Sequence, residues 1–232
     1  VGSEMCIRDS PYSYALNTSR VLDPHTYYVA NYAPFNIFNE LDNNFINLNV
    51  LDAKFQFELK YKPIAGLELA ALGAFKYAAT SQEHNVTENS NQAMTYRAMS
   101  NAIIRNSNRY LYRDPEHPYD LPMSVLPIGG IYHKNENRMS NYDFRATATY
   151  TRTFAQKHTI NLFGGAEMTD LLRTRTGFEG WGMQYNSGEV PFYIYQYMKK
   201  GIEDSKNYYS LTNTNWRSVA FYTNMSYSYR GR

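Results

Sequence analysis

The stretch that decides the fold is Ala53-Lys-Phe-Gln-Phe-Glu-Leu-Lys-Tyr61, in which apolar and polar residues alternate without a break. Successive side chains of a β-strand point to opposite faces, so this pattern predicts a strand with one apolar face and one charged face. Pro63-Ile-Ala-Gly66 has the composition of a tight turn. Alternation then resumes from Leu67 to Tyr77. Together these residues predict a long β-hairpin.

The same alternation returns three more times, in Tyr142–Tyr150, Ile160–Met168 and Val219–Tyr229. We therefore predict five antiparallel strands near residues 46–62, 67–79, 139–154, 158–170 and 215–230. Two of the connections are tight, near 63–66 and 155–157, and two are long, at 79–138 and 170–214. Because strand direction reverses at every turn, both long connections leave the sheet on the same side.

Short turns on one side and long loops on the other are typical of an outer-membrane β-barrel. The apolar face would meet hydrocarbon, and the charged face would line an enclosed interior, with tyrosines near the strand ends as an interfacial girdle. A soluble β-sandwich would also have one apolar face, buried as its core. Strand length and the unequal loops favour an all-β, antiparallel transmembrane barrel segment, about five strands of a larger barrel, with long extracellular loops. One short loop helix is expected at Asn91–Ile104, capped by Ser90 and with Tyr96, Met99 and Ile103 on one stripe.

Composition excludes several classes of protein. The chain is 43% hydrophobic and 19% charged, with a net charge of +2, which gives no field that suggests nucleic acid. Its longest apolar run, Leu69–Phe75, is far shorter than the roughly 20 residues of a membrane-spanning helix. Tyrosine is abundant, at 23 of 232 residues, and this side chain is common at binding surfaces.

The ends of the sequence suggest a fragment. Residues 1–10 resemble translated sequencing-adapter read-through, and we expect them to be foreign to a partial barrel domain over 11–232. Cys6 is the only cysteine, so no disulfide and no cysteine-ligated zinc is expected. Residues 11–45 are rich in Asn, Tyr and Pro and predict an irregular outer loop that leads into the first strand.

No residue pattern predicts catalysis. The five histidines are scattered and have no metal-ligand spacing. Asp114 and Glu116 could form the paired carboxylates of a glycosidase, but they lie in a Pro-bounded polar loop and are more simply solvated. No nucleophile elbow, phosphate loop or dinucleotide fingerprint is present. We expect neither an enzyme nor a cofactor or metal site.

Aromatic side chains in the two long loops are the candidate contacts for a ligand or partner. The segment Pro191-Phe-Tyr-Ile-Tyr-Gln-Tyr197 would place alternate tyrosines on one face if it were extended, as a ladder that stacks on sugar rings or on a partner protein. The alternative is that these rings pack loop against loop. The candidate set is Tyr110, Tyr112, Trp181, Tyr185, Tyr193, Tyr195 and Tyr197.

Short strings in a fixed order along 11–232 resemble the SusC/RagA family of TonB-linked outer-membrane transporters of Bacteroidetes. The strings lie at residues 11–20, Phe35-Asn-Ile-Phe-Asn-Glu-Leu-Asp-Asn-Asn44, Leu59-Lys-Tyr-Lys-Pro63, 80–84, Asn91-Gln-Ala-Met-Thr-Tyr-Arg-Ala-Met99, Leu126-Pro-Ile-Gly-Gly-Ile-Tyr132, 142–145, 163–165 and 191–193.

This resemblance implies a plugged barrel of about 22 strands that imports glycans or peptides across the cell outer membrane. It also implies a SusD-like surface lipoprotein as a partner, and a TonB complex that acts through a part absent here. No ligand-binding residue can be carried over, because the plug is also absent. The alternative from another class is a soluble β-rich carbohydrate-binding module.

Overall fold

The computed structural model describes residues 26–230, and most of them lie in strands. Expectations for residues 1–10 and 11–25 therefore fall outside the described residues. The strands are β1 (Tyr28–Ala30), β2 (Ala33–Phe35), β3 (Asn44–Ile64), β4 (Leu67–Val86), β5 (Leu111–Tyr112), β6 (Met123–Ser124), β7 (Gly130–Phe154), β8 (His158–Gln184), β9 (Val190–Pro191) and β10 (Tyr209–Tyr229). The helices are α1 (Ile37–Asn43), α2 (Asn91–Arg97), α3 (Ala102–Ser107) and α4 (Tyr195–Glu203), with a 3₁₀ turn at Tyr185–Ser187.

The five long strands form one antiparallel sheet in the order β10–β8–β7–β4–β3, and β9 pairs with β8. Each long strand lies beside the long strand that precedes or follows it in the chain, so the sheet is an up-and-down meander. This confirms the predicted all-β fold and its five strands. Two small hairpins, β1–β2 and β5–β6, form separate two-stranded sheets.

The tight turns lie where the sequence predicts them. Between β3 and β4, Gly66 has φ +92°, a conformation that glycine adopts at little cost. Its carbonyl accepts a hydrogen bond of 2.7 Å from the Thr151 amide. Between β7 and β8, both Ala155 and Gln156 have positive φ, as in the type I′ turns that suit the twist of a two-residue hairpin loop.

The strands are longer than predicted at their loop ends. β8 ends at Gln184 rather than near 170, and β7 begins at Gly130 rather than near 139. In these extensions polar and apolar residues occur on both faces, as Phe178 and Trp181 do on β8, so the alternation that marks a half-buried strand is lost. Cross-strand pairs stabilise them instead. An ion pair of 3.2 Å joins Lys134 to Glu83 across the β7–β4 extension.

The loops contain more short helices than the one predicted. The helix expected over 91–104 is two helices, α2 and α3, because Ala98 takes an extended conformation after α2. Ser90 caps α2 as predicted, since its hydroxyl oxygen accepts from the Ala93 amide. Ile103 is exposed, so the expected apolar stripe is wrong beyond Tyr96. The irregular loop expected up to residue 45 is also wrong from β1 to α1, where a hairpin and an Asn36-capped helix form.

The chain divides into two compact units. The loop unit comprises the described residues up to Leu48 together with Ser81–Asn135 and Thr176–Ser210, and the sheet unit comprises Asn49–Thr80, Glu136–Arg175 and the residues from Leu211 on.

In the loop unit, Val86, Ala93, Leu126, Ile131 and Ile194 form a buried hydrophobic core. Every fully buried hydrophobic residue in the described part of the chain belongs to this unit.

The sheet unit keeps its apolar face uncovered. Phe57 is 77% exposed, Leu59 70% and Phe221 81%. The predicted apolar positions of four strands line one shallow surface hollow, in which the Phe75 and Tyr142 rings lie 4.9 Å apart. A β-sandwich would require a second sheet packed over this face. Among the described residues there is no such sheet.

The opposite face of the sheet unit is polar. Arg145 and Glu167 form an ion pair of 3.1 Å on β7 and β8, and Lys76 pairs with Asp52 at 3.0 Å on β4 and β3. Within residues 26–230, no helix is both long and apolar enough to span a membrane.

Candidate functional site

Four aromatic rings form a continuous chain in the loop unit. The Trp181 and Tyr197 rings stack with centroids 4.4 Å apart and planes 14° apart. The Tyr96 ring meets Trp181 edge-on at 4.8 Å and lies 4.6 Å from the Tyr110 ring. Aromatic contacts of this kind stabilise a fold by roughly 0.5–1.5 kcal/mol each beyond the area they bury. The structure therefore brings three of the predicted contact residues together through Tyr96.

An aromatic pocket opens beside this chain of rings, with a volume of about 290 Å³. Strand β8 supplies Phe178, Glu179, Gly180, Trp181 and Met183, and the segment from β9 into α4 supplies Pro191, Phe192, Tyr193, Ile194, Tyr197 and Met198, with Tyr208 before β10. Six of these twelve side chains are aromatic. We name this feature the Trp181 pocket.

Backbone hydrogen bonds hold the walls of the Trp181 pocket together. The Phe192 amide donates to the Gly182 carbonyl at 2.9 Å, and the Glu179 amide donates to the Tyr208 carbonyl at 2.8 Å. Gly182 has φ +90°, and a Cβ there would collide with the Phe192 carbonyl. This glycine therefore permits the close approach of the segment that closes one wall.

Glu179 is the one charged residue that lines the Trp181 pocket. Its Oε1 accepts a hydrogen bond of 2.7 Å from the Trp181 indole Nε1 and lies 3.6 Å from His133 Nε2. The Glu179 side chain is 22% exposed, so its carboxylate remains accessible from the pocket. A mostly apolar pocket with a single convergent polar group is typical of a ligand site.

The pocket and its neighbouring rings hold tyrosines that stay neutral. Burial raises the pKa of Tyr197 well above its usual range, and the negative charge of Glu179 raises it further. Burial also raises the pKa of Tyr96 to about 12, with a smaller contribution from Tyr110. These hydroxyls therefore act as neutral hydrogen-bonding groups at physiological pH.

The other predicted contact residues differ in how exposed their side chains are. Tyr193 is 83% exposed at the edge of the Trp181 pocket, and Tyr195 is exposed at the start of α4. Tyr112 is buried, with 2% of its surface exposed, so the protein itself covers its ring. The Tyr185 hydroxyl lies 3.0 Å from the Ile131 carbonyl on β7 and 3.1 Å from Asn85 Oδ1 on β4, so it links these two strands.

The expected ladder at Tyr193, Tyr195 and Tyr197 is wrong because the chain is not extended there. Helix α4 begins at Tyr195, and helical rotation turns Tyr197 towards Trp181 while Tyr195 remains exposed. The apolar positions Met198 and Ile202, four residues apart, are the helical signal that the alternating tyrosines obscured.

Glu179 is the charged residue of the pocket, and sequence reasoning missed it. It lies two residues before Trp181 on β8, so the two side chains share one face of the strand. The string Gly177-Phe-Glu-Gly-Trp181 therefore carries a usable signal, a carboxylate beside a large ring.

Asp114, Glu116 and His117 lie together in an exposed turn, with potential ligand atoms within 4.8 Å of one another. Hydrogen bonds within the turn account for this proximity, because Asp114 Oδ1 accepts from the Glu116 amide and Oδ2 lies 3.4 Å from His117 Nδ1. The backbone hydrogen bond is the main reason that the pKa of Asp114 is lowered.

Comparison with known proteins identifies the fold and not the family. No family model matches the chain, and no curated protein does. A solved structure described as the RagAB peptide transporter is similar, with a TM-score of 0.57 and 15% identity over 90% of this chain. Structures of the RagAB peptide importer in closed-closed and open-open states are also similar, with TM-scores of 0.57 and 0.55 at 15% identity.

The chain spans 19% of the length of each of these solved chains. It therefore has the fold of one segment of a transporter chain.

Proposed function

We propose that this chain forms part of the wall and the outer loops of a TonB-dependent outer-membrane transporter that imports glycans or peptides. The observation that carries the proposal is the uncovered apolar face of the sheet unit, where Phe57, Leu59 and Phe221 are largely exposed. An apolar surface of this extent is costly in water and favourable in hydrocarbon.

The lengths of the strands support this function. A tilted strand crosses a bilayer with about 9–11 residues. β3 has 21 residues and β8 has 27, so each is long enough to cross and to continue beyond the hydrocarbon. Antiparallel pairing satisfies the backbone groups between neighbouring strands, as hydrocarbon demands.

The Trp181 pocket and the exposed rings around it suit the recognition side of a transporter. Tyr193 and Tyr195 expose aromatic surface of the kind enriched at protein interfaces and sugar-binding sites. A SusD-like surface lipoprotein is the proposed partner of these loops, and similarity to part of a RagAB peptide importer supports it. A TonB complex would act through a part of the transporter outside this chain.

A soluble carbohydrate-binding module is the competing function. Such a module would need its apolar strand face buried, whereas Phe57 and Leu59 are exposed on a single-layered sheet. Sugar binding by the refolded chain without detergent would favour that module.

Membrane fractionation tests the proposal. We expect the full-length protein, produced with an export signal in a Gram-negative host, to sediment with outer membranes and to resist extraction by carbonate and urea. Recovery of folded protein in the soluble fraction would contradict the proposal. A soluble periplasmic protein produced in parallel serves as the control for incomplete lysis.

A further inference from the structure

The carboxylate of Glu179 has no Lys or Arg partner among the described ion pairs. Its neighbours are the hydrogen-bond donors Trp181 and Tyr197 and the imidazole of His133. Lys200 on α4 and Lys206 beyond it lie within 4 Å of Asp204, and the charge of Lys199 on α4 acts on Tyr112 and Asp114. Among the described residues, Glu179 therefore lines a partly enclosed space and forms no ion pair with a lysine or an arginine.

The rings around this carboxylate are themselves attractive to cations. The face of an aromatic ring carries negative electrostatic potential, so a cation close to it is attracted to the ring. Phe178, Phe192, Tyr193 and Tyr208 line the pocket and are each at least 39% exposed, so their surfaces are open to a ligand. The charge of Glu179 and these ring faces favour the same kind of occupant.

The size of the Trp181 pocket suits a single long side chain. Its volume of about 290 Å³ is at the lower end of the range for sites that enclose a whole small molecule, about 300–1,000 Å³. Met183, Pro191 and Met198 supply apolar surface for the methylene groups of a long side chain.

We infer that the Trp181 pocket receives the cationic side chain of an arginine or lysine residue in a peptide substrate, held between aromatic rings and Glu179. This inference rests on the proposed function and narrows its substrate class from glycans or peptides to peptides with basic residues. The guanidinium group fits best, because it stacks on rings and donates to a carboxylate at the same time.

Tryptophan fluorescence tests the inference on this chain in detergent. Trp181 and Trp216 are its only tryptophans, and Trp216 lies on β10 outside the pocket, so Trp216→Phe leaves Trp181 as the sole reporter. The probes are acetyl-Ala-Arg-Ala-amide, the same peptide with neutral citrulline in place of arginine, the same peptide with phenylalanine, and maltoheptaose. Far-UV circular dichroism verifies that each variant is folded.

We expect the arginine peptide to change Trp181 emission saturably and to bind about tenfold more tightly than the citrulline peptide, with weaker binding at high salt. Glu179→Gln keeps an oxygen for the Trp181 indole and should remove that preference. Glu116→Gln, an exposed loop carboxylate outside the pocket, should not.

Three results would overturn the inference: no saturable change with the arginine peptide, binding of the phenylalanine peptide or maltoheptaose at least as tight, or an unchanged preference in Glu179→Gln. Each would leave the transporter proposal in place, because membrane fractionation tests that separately. If the protein fractionates as soluble but still prefers the arginine peptide, the inference about the pocket stands and the transporter proposal is rejected.

Discussion

Arg97 joins three separate parts of the loop unit through one side chain. Its guanidinium group donates to the main-chain carbonyls of Leu126, at 3.0 Å, of Glu88, at 3.1 Å, and of Gly129. Helices α2 and α3 have only seven and six residues, too few to be stable alone, so side-chain links of this kind hold the loop in one conformation.

We predict that Arg97→Met destabilises the loop unit by about 3 kcal/mol, because it leaves partly buried carbonyls without donors. Arg105→Met is the matched control, since the half-buried Arg105 side chain makes one long, exposed hydrogen bond to the Met99 carbonyl. Limited proteolysis under native conditions measures the difference as faster cleavage within 87–129. Equal cleavage rates in the two variants would show that Arg97 does not hold the loop.

Asparagine side chains also join separate parts of the loop unit, and the sequence alone does not predict which asparagines do so. Asn91 Nδ2 donates to the carbonyls of Ala30, Ala33 and Pro34, and this fixes the β1–β2 hairpin against α2. Asn-rich sequence is typical of irregular loops, and no local pattern reveals which asparagine binds a carbonyl some sixty residues away. The ordered structure of 28–43 was therefore missed.

The β3–β4 turn depends on Gly66, and its replacement gives a prediction at the scale of the element. A Cβ at Gly66 would collide with the Thr151 carbonyl oxygen, and φ is +92°. We predict that Gly66→Ala lowers stability by about 1–3 kcal/mol. Gly73→Ala, where a Cβ would meet nothing within 4 Å, should be neutral.

Thermal unfolding of both variants in detergent, followed by heat-dependent gel mobility or circular dichroism, measures this difference. The prediction concerns the order of the two midpoints, with Gly66→Ala below Gly73→Ala. A lower midpoint for Gly73→Ala would mean that the turn geometry is wrong.

The sequence predicts strands best where one face is apolar. The turns after Ile64 and after Phe154 are correct because alternation runs up to them. The loop-side extension of β8 beyond residue 170 was missed, since polar and apolar residues are mixed on both of its faces and leave no period of two. Helix α4 was missed for the opposite reason, because its alternating tyrosines imitate a strand.

At the scale of the whole molecule, the buried hydrophobic residues among those described lie in the loop unit and not in the sheet unit. The loop unit has a hydrophobic core around Leu126 and Val86, whereas the long strands of the sheet unit keep large apolar side chains exposed. In a water-soluble β-protein the sheet is normally covered by a second layer. The proposed lipid environment would account for the exposed face. The alternation in 53–61 predicted only that one face is apolar, and the strand lengths and unequal loops favoured lipid over a second sheet as its cover.

The sequence predicted some residues of the candidate site and missed others. Trp181 and Tyr197 were chosen as aromatic residues in long loops, and the structure stacks them. Glu179 could have been found from its place two residues before Trp181 on β8. The enclosing Phe192 and Tyr208 could not be identified, because the approach of β8, β9 and α4 is a tertiary contact with no local signal.

Quenching by lipids brominated in their acyl chains tests the central claim most directly. In full-length protein free of other tryptophans and reconstituted into such lipids, a single tryptophan is introduced by Phe57→Trp on the apolar face or by Glu58→Trp on the polar face. We predict strong quenching at position 57 and little at position 58, because only the first would contact hydrocarbon. Equal quenching at both positions, or none at either, would contradict the assignment of the apolar face to lipid.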